Sequence, residues 1–389
     1  MRHYTICIVT AGRSDYGLLH PLLDAIVAHN RLLMELVVTG NHLSNKFGST
    51  YKEIVKDGFK IDYKVKTYFG LDSKVGVAHS IGAGVKGFSD VFEVMEPDLI
   101  ILLGDRYEAF SAATAGFVMG IPIAHIHGGE VTFGSDDDTY RHCITKLSTL
   151  HFVATDKYKK RVIQLGESPE KVFTVGGLGV EVISKLKLLT KIEIEKKLGI
   201  KFLDRNLLIT LHPSEDSLDE SLKNFSILLD VLNKLTNTLL IFTYPNCDKN
   251  SLSIIKMLDE FVMKNKNSVV FKSLGVMSYL SCVNYVDGVV GNSSSGLLEV
   301  PSFKKGTINI GDRQKGRVRV DSVIDCKFNY EEISDAINML YANDFKNTLD
   351  KVKNPYDHGC TSSSILKEVV KYLCQESSMT KKEFYDIKN

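Results

Sequence analysis

Along the first half of the chain, short apolar runs alternate with longer stretches whose apolar residues recur at helical spacing. Thr5–Val9 is the first such run; it ends in the glycine-containing turn AGRSDYG, and a helical pattern follows from about Leu18 to Asn30. Met34–Thr39, Leu99–Leu103, Ile121–Ile126, Phe152–Thr155 and Val172–Val175 read as further strands of the same kind. A strand that is apolar at nearly every position is covered on both faces, so these strands, with helices between them, predict a parallel sheet flanked by helices. Polar helical sequence follows the GGLG at Gly176–Gly179 up to about Lys201, and the interdomain connection is placed there. The alternation then restarts with Leu207–Leu211, Leu239–Thr243, Val269–Phe271, Gly288–Val290 and Thr307–Ile310, a second doubly wound unit. From about Ser364 a helix and a charged tail follow. The expected organisation is α/β: a Rossmann-like domain over 1–180, a second over 181–363, and a helix with tail over 364–389.

Composition narrows the function. A chain of 389 residues is comfortable for two domains, and 44% apolar with 24% charged residues is ordinary for a protein with large cores. The formal net charge of +1 gives no overall bias toward nucleic acid or an anionic membrane, and neither is expected as a partner. Ala109–Ile126 lacks Asp, Glu, Lys and Arg, but Gly116, Gly120 and Pro122 interrupt it, so it reads as a buried helix and strand rather than a membrane span. The seven cysteines are scattered, odd in number and without a CxxC pair, which fits reduced thiols. MRHYTICIVTAGR has no apolar signal core, and the expected location is cytoplasmic.

In open parallel sheets, ligands bind beyond the carboxyl ends of the strands. The residues that can carry chemistry cluster at those positions. Gly12, Arg13, Ser14 and Asp15 follow the first strand, where a helix start offers free N–H groups to a phosphate, although the spacing is not GxGxxG. Gly104, Asp105, Arg106 and Glu108 follow Leu99–Leu103; Asp105 is a general-base candidate or a helix cap. The next strand ends in HIHGGE, where alternation directs His125 and His127 to one face and Gly128 and Gly129 let a ligand approach the backbone. A metal held by this HxH with Glu130 or His142 lacks a completing ligand at a recognisable spacing, so neither metal nor cofactor is expected. Asp136, Asp137 and Asp138 stand beside Arg141 and His142: an acidic cap, or one carboxylate tuned by its neighbours.

In the second half, His212 and Asn246 each follow a strand. Ser293, Ser294 and Ser295 lie between Gly291 and Gly296 and open a helix, either as simple caps or as a phosphate cradle. Glu299 falls on the first turns of that helix, within reach of ribose hydroxyls. Arg313, Lys315, Arg317 and Arg319 form a basic stretch suited to a pyrophosphate, or a solvated loop. So many equivalent strand ends with polar, glycine-rich or charged residues point jointly to an anionic ligand in a cleft between the domains.

In GRSDYG, LGDRYE, HIHGGE, DDDTYRHCITKLS, RVIQLGE, GNSSSGLLEVPS and INIGDRQKGRVR, the chain resembles the hydrolysing UDP-N-acetylglucosamine 2-epimerases of sialic acid biosynthesis, from about Thr5 to Cys326. The resemblance implies the GT-B-type architecture, with the last helix packing back onto the first domain. It implies elimination of UDP from UDP-GlcNAc to a 2-acetamidoglucal, followed by hydration to N-acetylmannosamine. It assigns Arg13, Ser293, Ser294, Glu299 and Arg313 to nucleotide and phosphate contacts, His212 to the pyrophosphate, and Asp105 and Asp137 to the essential acids. Many members carry Glu where this chain has His127, so the C2 base stays open between His127 and Asp105. A homodimer or homotetramer is also implied. A sister group acts on a UDP-2,4-diacetamido-trideoxy sugar of the legionaminic acid pathway with overlapping motifs. Two other classes fit parts of the pattern: a GT-B glycosyltransferase, which would need an acceptor, and a UDP-sugar sensor without turnover.

Overall fold

The structure, a computed structural model, describes residues 2–45, 48–67, 74–133, 136–213, 217–245, 251–375 and 382–387. It divides into two compact units. Met1–Glu130, Ser135–Val182 and His358–Asn389 form the first; Val131–Gly134 and Ile183–Asp357 form the second.

The first unit is built on a seven-stranded sheet. Its strands are β1 (Tyr4–Thr10), β2 (Leu32–Thr39), β3 (Tyr63–Val65), β4 (Leu99–Leu103), β5 (Ile123–Ile126), β6 (Leu150–Val153) and β7 (Val172–Thr174), in the order β3-β2-β1-β4-β5-β6-β7. Every pairing is parallel; Ile6 lies opposite both Met34 and Leu99, and Ile8 opposite Leu36 and Ile101. The period-two alternation of a strand explains why these runs are apolar throughout. Ile6, Ile8, Leu99 and Ile101 point into one layer, with Leu19, Leu22 and Leu23 of the helix Arg13–Val27 and Ile365 and Val369 of the helix Thr361–Cys374. Cys7, Val9, Ile100 and Leu102 point into the opposite layer, against Phe88, Phe92 and Ala112.

The second unit repeats the plan with β8 (Arg205–Thr210), β9 (Thr238–Thr243), β10 (Ser268–Phe271), β11 (Gly288–Gly291), β12 (Gly306–Ile310) and β13 (Val323–Cys326), ordered β10-β9-β8-β11-β12-β13 and parallel throughout. Leu207 and Ile209 face one core with Phe225 and Leu228, while Leu208 and Val289 face the other with Cys282 and Val283. In each sheet the chain winds outward from its first strand and then returns to that strand's other side. This leaves a switch point between β1 and β4 and another between β8 and β11, where ligands of such sheets bind.

The return of the chain to the first unit begins at His358, ahead of Ser364. Thr361 Oγ1 donates to the Val175 carbonyl at 2.9 Å, and Ser362 donates through its N–H and hydroxyl to the buried Glu181 carboxylate at 2.6 and 2.5 Å. Polar residues thus anchor the first turn, ahead of the apolar face that the sequence shows. Ala109–Ile126 is most of the helix Tyr107–Val118 followed by β5, and among the described residues no helix is long and apolar enough to cross a membrane. The first helix starts at Arg13, five residues ahead of the apolar pattern, because its opening turn RSDYG is mostly polar. β3 and β13 escape the sequence reading: they are short edge strands, with Lys64 and Asp325 exposed within them.

Candidate active site

At the carboxyl end of β4, Arg106 is the residue that starts the helix Tyr107–Val118, so Asp105 does not serve as the cap. Asp105 instead pairs through Oδ2 with Nη2 of Arg141, whose side chain is almost wholly buried. Arg141 sits on the helix Asp136–Leu147 and also donates to the His127 carbonyl at 3.0 Å. One guanidinium therefore ties the ends of β4 and β5 to that helix. Arg106 donates through Nε to the fully buried Glu108 carboxylate at 3.1 Å.

Asp137 lies in the first turn of the same helix, and its pKa is pushed up to about 7 by burial and by the Asp105 charge, against the pull of Arg106 and Arg141. A carboxyl in that range holds and releases a proton near neutral pH. Asp15, in the first turn after β1, is also raised, to about 6, by burial and the Glu108 charge, with Arg106 opposing. Asp15 and Glu108 belong to sequence motifs that give neither a site role; their link is Arg106, whose charge acts on Asp15 and which pairs with Glu108.

The two histidines of HIHGGE part company. β5 ends at Ile126, and His127 stands in the left-handed region at φ 65°, so strand alternation stops between them. His125 is wholly buried; its ring nitrogens meet the Gly104 carbonyl at 2.8 Å and Thr145 Oγ1 at 3.1 Å, and burial lowers its pKa to about 3. It is a neutral brace, not a companion to His127 in one site. His127 donates its N–H to the Phe152 carbonyl at 2.8 Å, and its Nδ1 lies 3.2 Å from Oε1 of the buried Glu130. Its Nε2 is buried and has no hydrogen-bond partner among the described residues. Arg13, half-exposed, pairs with Glu53 at 3.2 Å.

In the second unit, β8 and β11 run into Leu211–His212 and Gly291–Asn292. Gly291 has φ 136°, and a Cβ there would lie 1.9 Å from the Thr210 carbonyl oxygen, so glycine is what lets β11 leave β8 at this point. Asn292 bonds the His212 backbone, and its own carbonyl accepts from Arg313 at 3.3 Å and Gln314 at 2.9 Å. Burial, then the Arg313 charge, lowers His212 to about 3, which keeps its imidazole neutral.

Ser293, Ser294 and Ser295 sit at this switch point, but the helix they open is one turn, Ser295–Leu298. Glu299 closes that turn rather than lying in the opening turns of a longer helix, because Pro301 starts a separate tight turn over Val300–Phe303. Ser293 Oγ accepts the Ser295 N–H at 3.4 Å, Tyr279 donates to Ser295 Oγ at 2.9 Å, and Gly296 packs against Thr307. The basic stretch does not act as one cluster: Arg319 pairs with Asp325 at 2.8 Å, Arg317 reaches Thr132 Oγ1 at 3.4 Å, and Lys315 lies over the Phe133 ring. Arg313, by contrast, lies at the switch point. Asn246 falls outside the described residues.

A family model described as UDP-N-acetylglucosamine 2-epimerase matches residues 24–370. The chain is 42% identical over 343 residues, 88% of each protein, to a GDP/UDP-N,N'-diacetylbacillosamine 2-epimerase (hydrolyzing) of Campylobacter jejuni. It is 38% identical over 383 residues, 98% of this chain and 97% of the other, to polysialic acid biosynthesis protein P7 of Escherichia coli. The crystal structure of Methanocaldococcus jannaschii UDP-GlcNAc 2-epimerase in complex with UDP-GlcNAc and UDP has a TM-score of 0.76 over 94% of this chain and 99% of that one, at 18% identity. At that identity the likeness shows the fold: two Rossmann-like doubly wound units of the GT-B type.

Proposed function

Since the chain belongs to the UDP-N-acetylglucosamine 2-epimerase family and is a UDP-sugar 2-epimerase of the hydrolysing kind, we propose that it eliminates UDP from a UDP-linked 2-acetamido sugar and hydrates the resulting glycal with inversion at C2. In the first step the C2 proton goes to a base and the C1–O bond breaks, with its electron pair leaving on UDP. In the second, water adds its oxygen to C1 and a proton returns to C2 from the opposite face.

The observation that carries this reading is Asp105, paired with Arg141, beside Asp137, on which the charges of Asp105, Arg106 and Arg141 act. Two carboxylates made unequal by their surroundings are what successive proton removal and delivery require. Asp137, raised to about 7, is populated in both forms at neutral pH. His127 adds an imidazole nitrogen, Nε2, that accepts or donates no hydrogen bond among the described residues. In the second unit, Arg313 with His212 and Ser293–Ser295 holds the pyrophosphate, and Glu299 the ribose. Arg313 and the hydroxyl and N–H groups of Ser293–Ser295 bind the charge that grows on departing UDP.

The 42% identical Campylobacter relative favours a UDP-2,4-diacetamido-2,4,6-trideoxy sugar as substrate. UDP-GlcNAc is the second reading, favoured by the family description. Incubation with each sugar nucleotide in deuterated water tests both levels. The expected products are UDP and a free manno-configured sugar with deuterium at C2, formed with the higher kcat/KM from the diacetamido substrate. A higher value with UDP-GlcNAc reverses the substrate order. Free gluco sugar with protium at C2 overturns elimination.

A further inference from the structure

Residues 382–387 lie against the first unit, and their contacts converge on the far end of the helix that carries Asp137 and Arg141. Lys382 Nζ donates to the carbonyls of Lys146 at 2.6 Å and Ser148 at 2.7 Å, and approaches that of Thr145 at 3.4 Å. The helix Asp136–Leu147 ends here; its Lys146 carbonyl and that of Ser148, one residue beyond, lie past the reach of its own amides, and a cation is favoured at this end of the helix dipole. The same ammonium lies 2.6 Å from Oε2 of buried Glu167, which also takes His151 Nε2 at 2.9 Å and Lys146 Nζ at 2.8 Å. Burial opposes a charge on Glu167, yet these donors bring its pKa down to about 2.

Two further contacts seat the segment at Gly166. Tyr385 N–H donates to the Gly166 carbonyl at 2.9 Å, and the Phe384 ring packs so closely that a Cβ on Gly166 would lie 2.2 Å from it. Lys146 lies over that ring, 5.1 Å from its centre.

We infer that Lys382 is a positioning residue for the reaction, a strap that caps the helix Asp136–Leu147 and so fixes Arg141, which faces Asp105, and Thr145, which braces the His125 ring behind the turn that carries Asp105. The route is short. Thr145, in the last turn, bonds the His125 ring, which bonds the Gly104 carbonyl next to Asp105. One turn earlier, Arg141 pairs with Asp105 and holds the His127 carbonyl. Fraying of the capped end displaces both links together. The catalytic part of this inference rests on the roles proposed above for Asp105 and Asp137; the strap itself does not.

Three full-length variants test it by hydrogen–deuterium exchange, by calorimetry with UDP, and by steady-state kinetics. Lys382→Ala removes the cap and Phe384→Ala unseats it at Gly166, while Lys382→Arg keeps a cation in place. Amide exchange in the helix Asp136–Leu147 and around Gly166 is expected to rise roughly tenfold in both alanine variants and to stay near wild type in Lys382→Arg. UDP affinity stays unchanged, and kcat falls several-fold without a matching change in KM. Unchanged exchange in the helix, or a uniform rise over the whole first unit, overturns the strap. Local loosening with wild-type kcat overturns its part in catalysis. The exchange arm needs no turnover, so a wild-type protein inactive on both sugar nucleotides would sink the proposed reaction while the strap is still decided.

Discussion

Asn292 grips the backbone of His212 from both sides: its Oδ1 accepts the His212 N–H at 2.7 Å, and its Nδ2 donates to the His212 carbonyl at 2.8 Å. This amide continues the β8–β11 ladder past the point where both strands have ended. Through its own carbonyl, Asn292 also receives Arg313 and Gln314. A structural amide and a candidate ligand-binding guanidinium thus meet at one residue, and mutation separates them.

Asn292→Ala strips two buried backbone groups of their partners, at about 1–3 kcal/mol each, and is expected to lower both unfolding free energy and UDP affinity. Arg313→Ala removes a charged donor and leaves that pairing intact. It is expected to weaken UDP by about 1.5–3 kcal/mol while unfolding shifts by no more than ~0.5 kcal/mol. Urea unfolding and calorimetric titration with UDP check the pair. UDP affinity unchanged in Arg313→Ala would remove Arg313 from the site.

Asp137 makes stability depend on pH with a definite sign. Its folded pKa, about 7, lies above the ordinary carboxylate value of 3.8 because of burial and the Asp105 charge. A raised carboxyl favours folding while it is protonated in both states, and that advantage is lost as pH climbs from about 4 to about 7. Asp137→Asn keeps the shape without the charge. It is therefore expected to be more stable than wild type at pH 8, on the order of 1–3 kcal/mol, with the gain shrinking as pH approaches 4. Urea midpoints at the two pH values decide it; equal differences at both would show that Asp137 does not titrate in this window.

Much of this arrangement was legible in the sequence, for identifiable reasons. Leu99–Leu103 is apolar at every position because both its faces are buried, and the observed β4 has the same limits. The strand-end rule then places Asp105, His212 and Arg313 without further information. What local pattern does not carry is the conformation and partner of each group. His125 and His127 look equivalent under period two, and only the left-handed φ of His127 separates them. Glu299 looks helical until Pro301 is seen to begin a new turn. Lys382 looks like one more residue of a charged tail, because its partners, Glu167 and the carbonyls of Lys146 and Ser148, are over two hundred positions away.

The two essential acids expected from the sequence should respond to neutralisation in opposite ways. Asp105 is the carboxylate that Arg141 faces, and Arg141 is nearly wholly buried. Asp105→Asn leaves that guanidinium with a neutral acceptor in a place where its charge cannot be hydrated. The loss is expected to be about 1–3 kcal/mol, short of the roughly 3–5 kcal/mol for a fully broken buried pair, because the amide oxygen still accepts. The same substitution removes the charge that helps to raise Asp137, so the titration of Asp137 moves down. Asp137→Asn, by the argument above, stabilises at pH 8. Each should lower turnover on the order of a hundredfold or more if both acids handle protons. Because each carboxylate acts on the other, the double variant should depart from the sum of the single changes. Urea unfolding of the three variants at pH 8, beside their turnover, provides the check. Two single variants that lose activity but shift stability in the same direction would mean that the charge of Asp137 is not what the fold works against, and the assignment of Asp137 as the near-neutral proton carrier would fall with it.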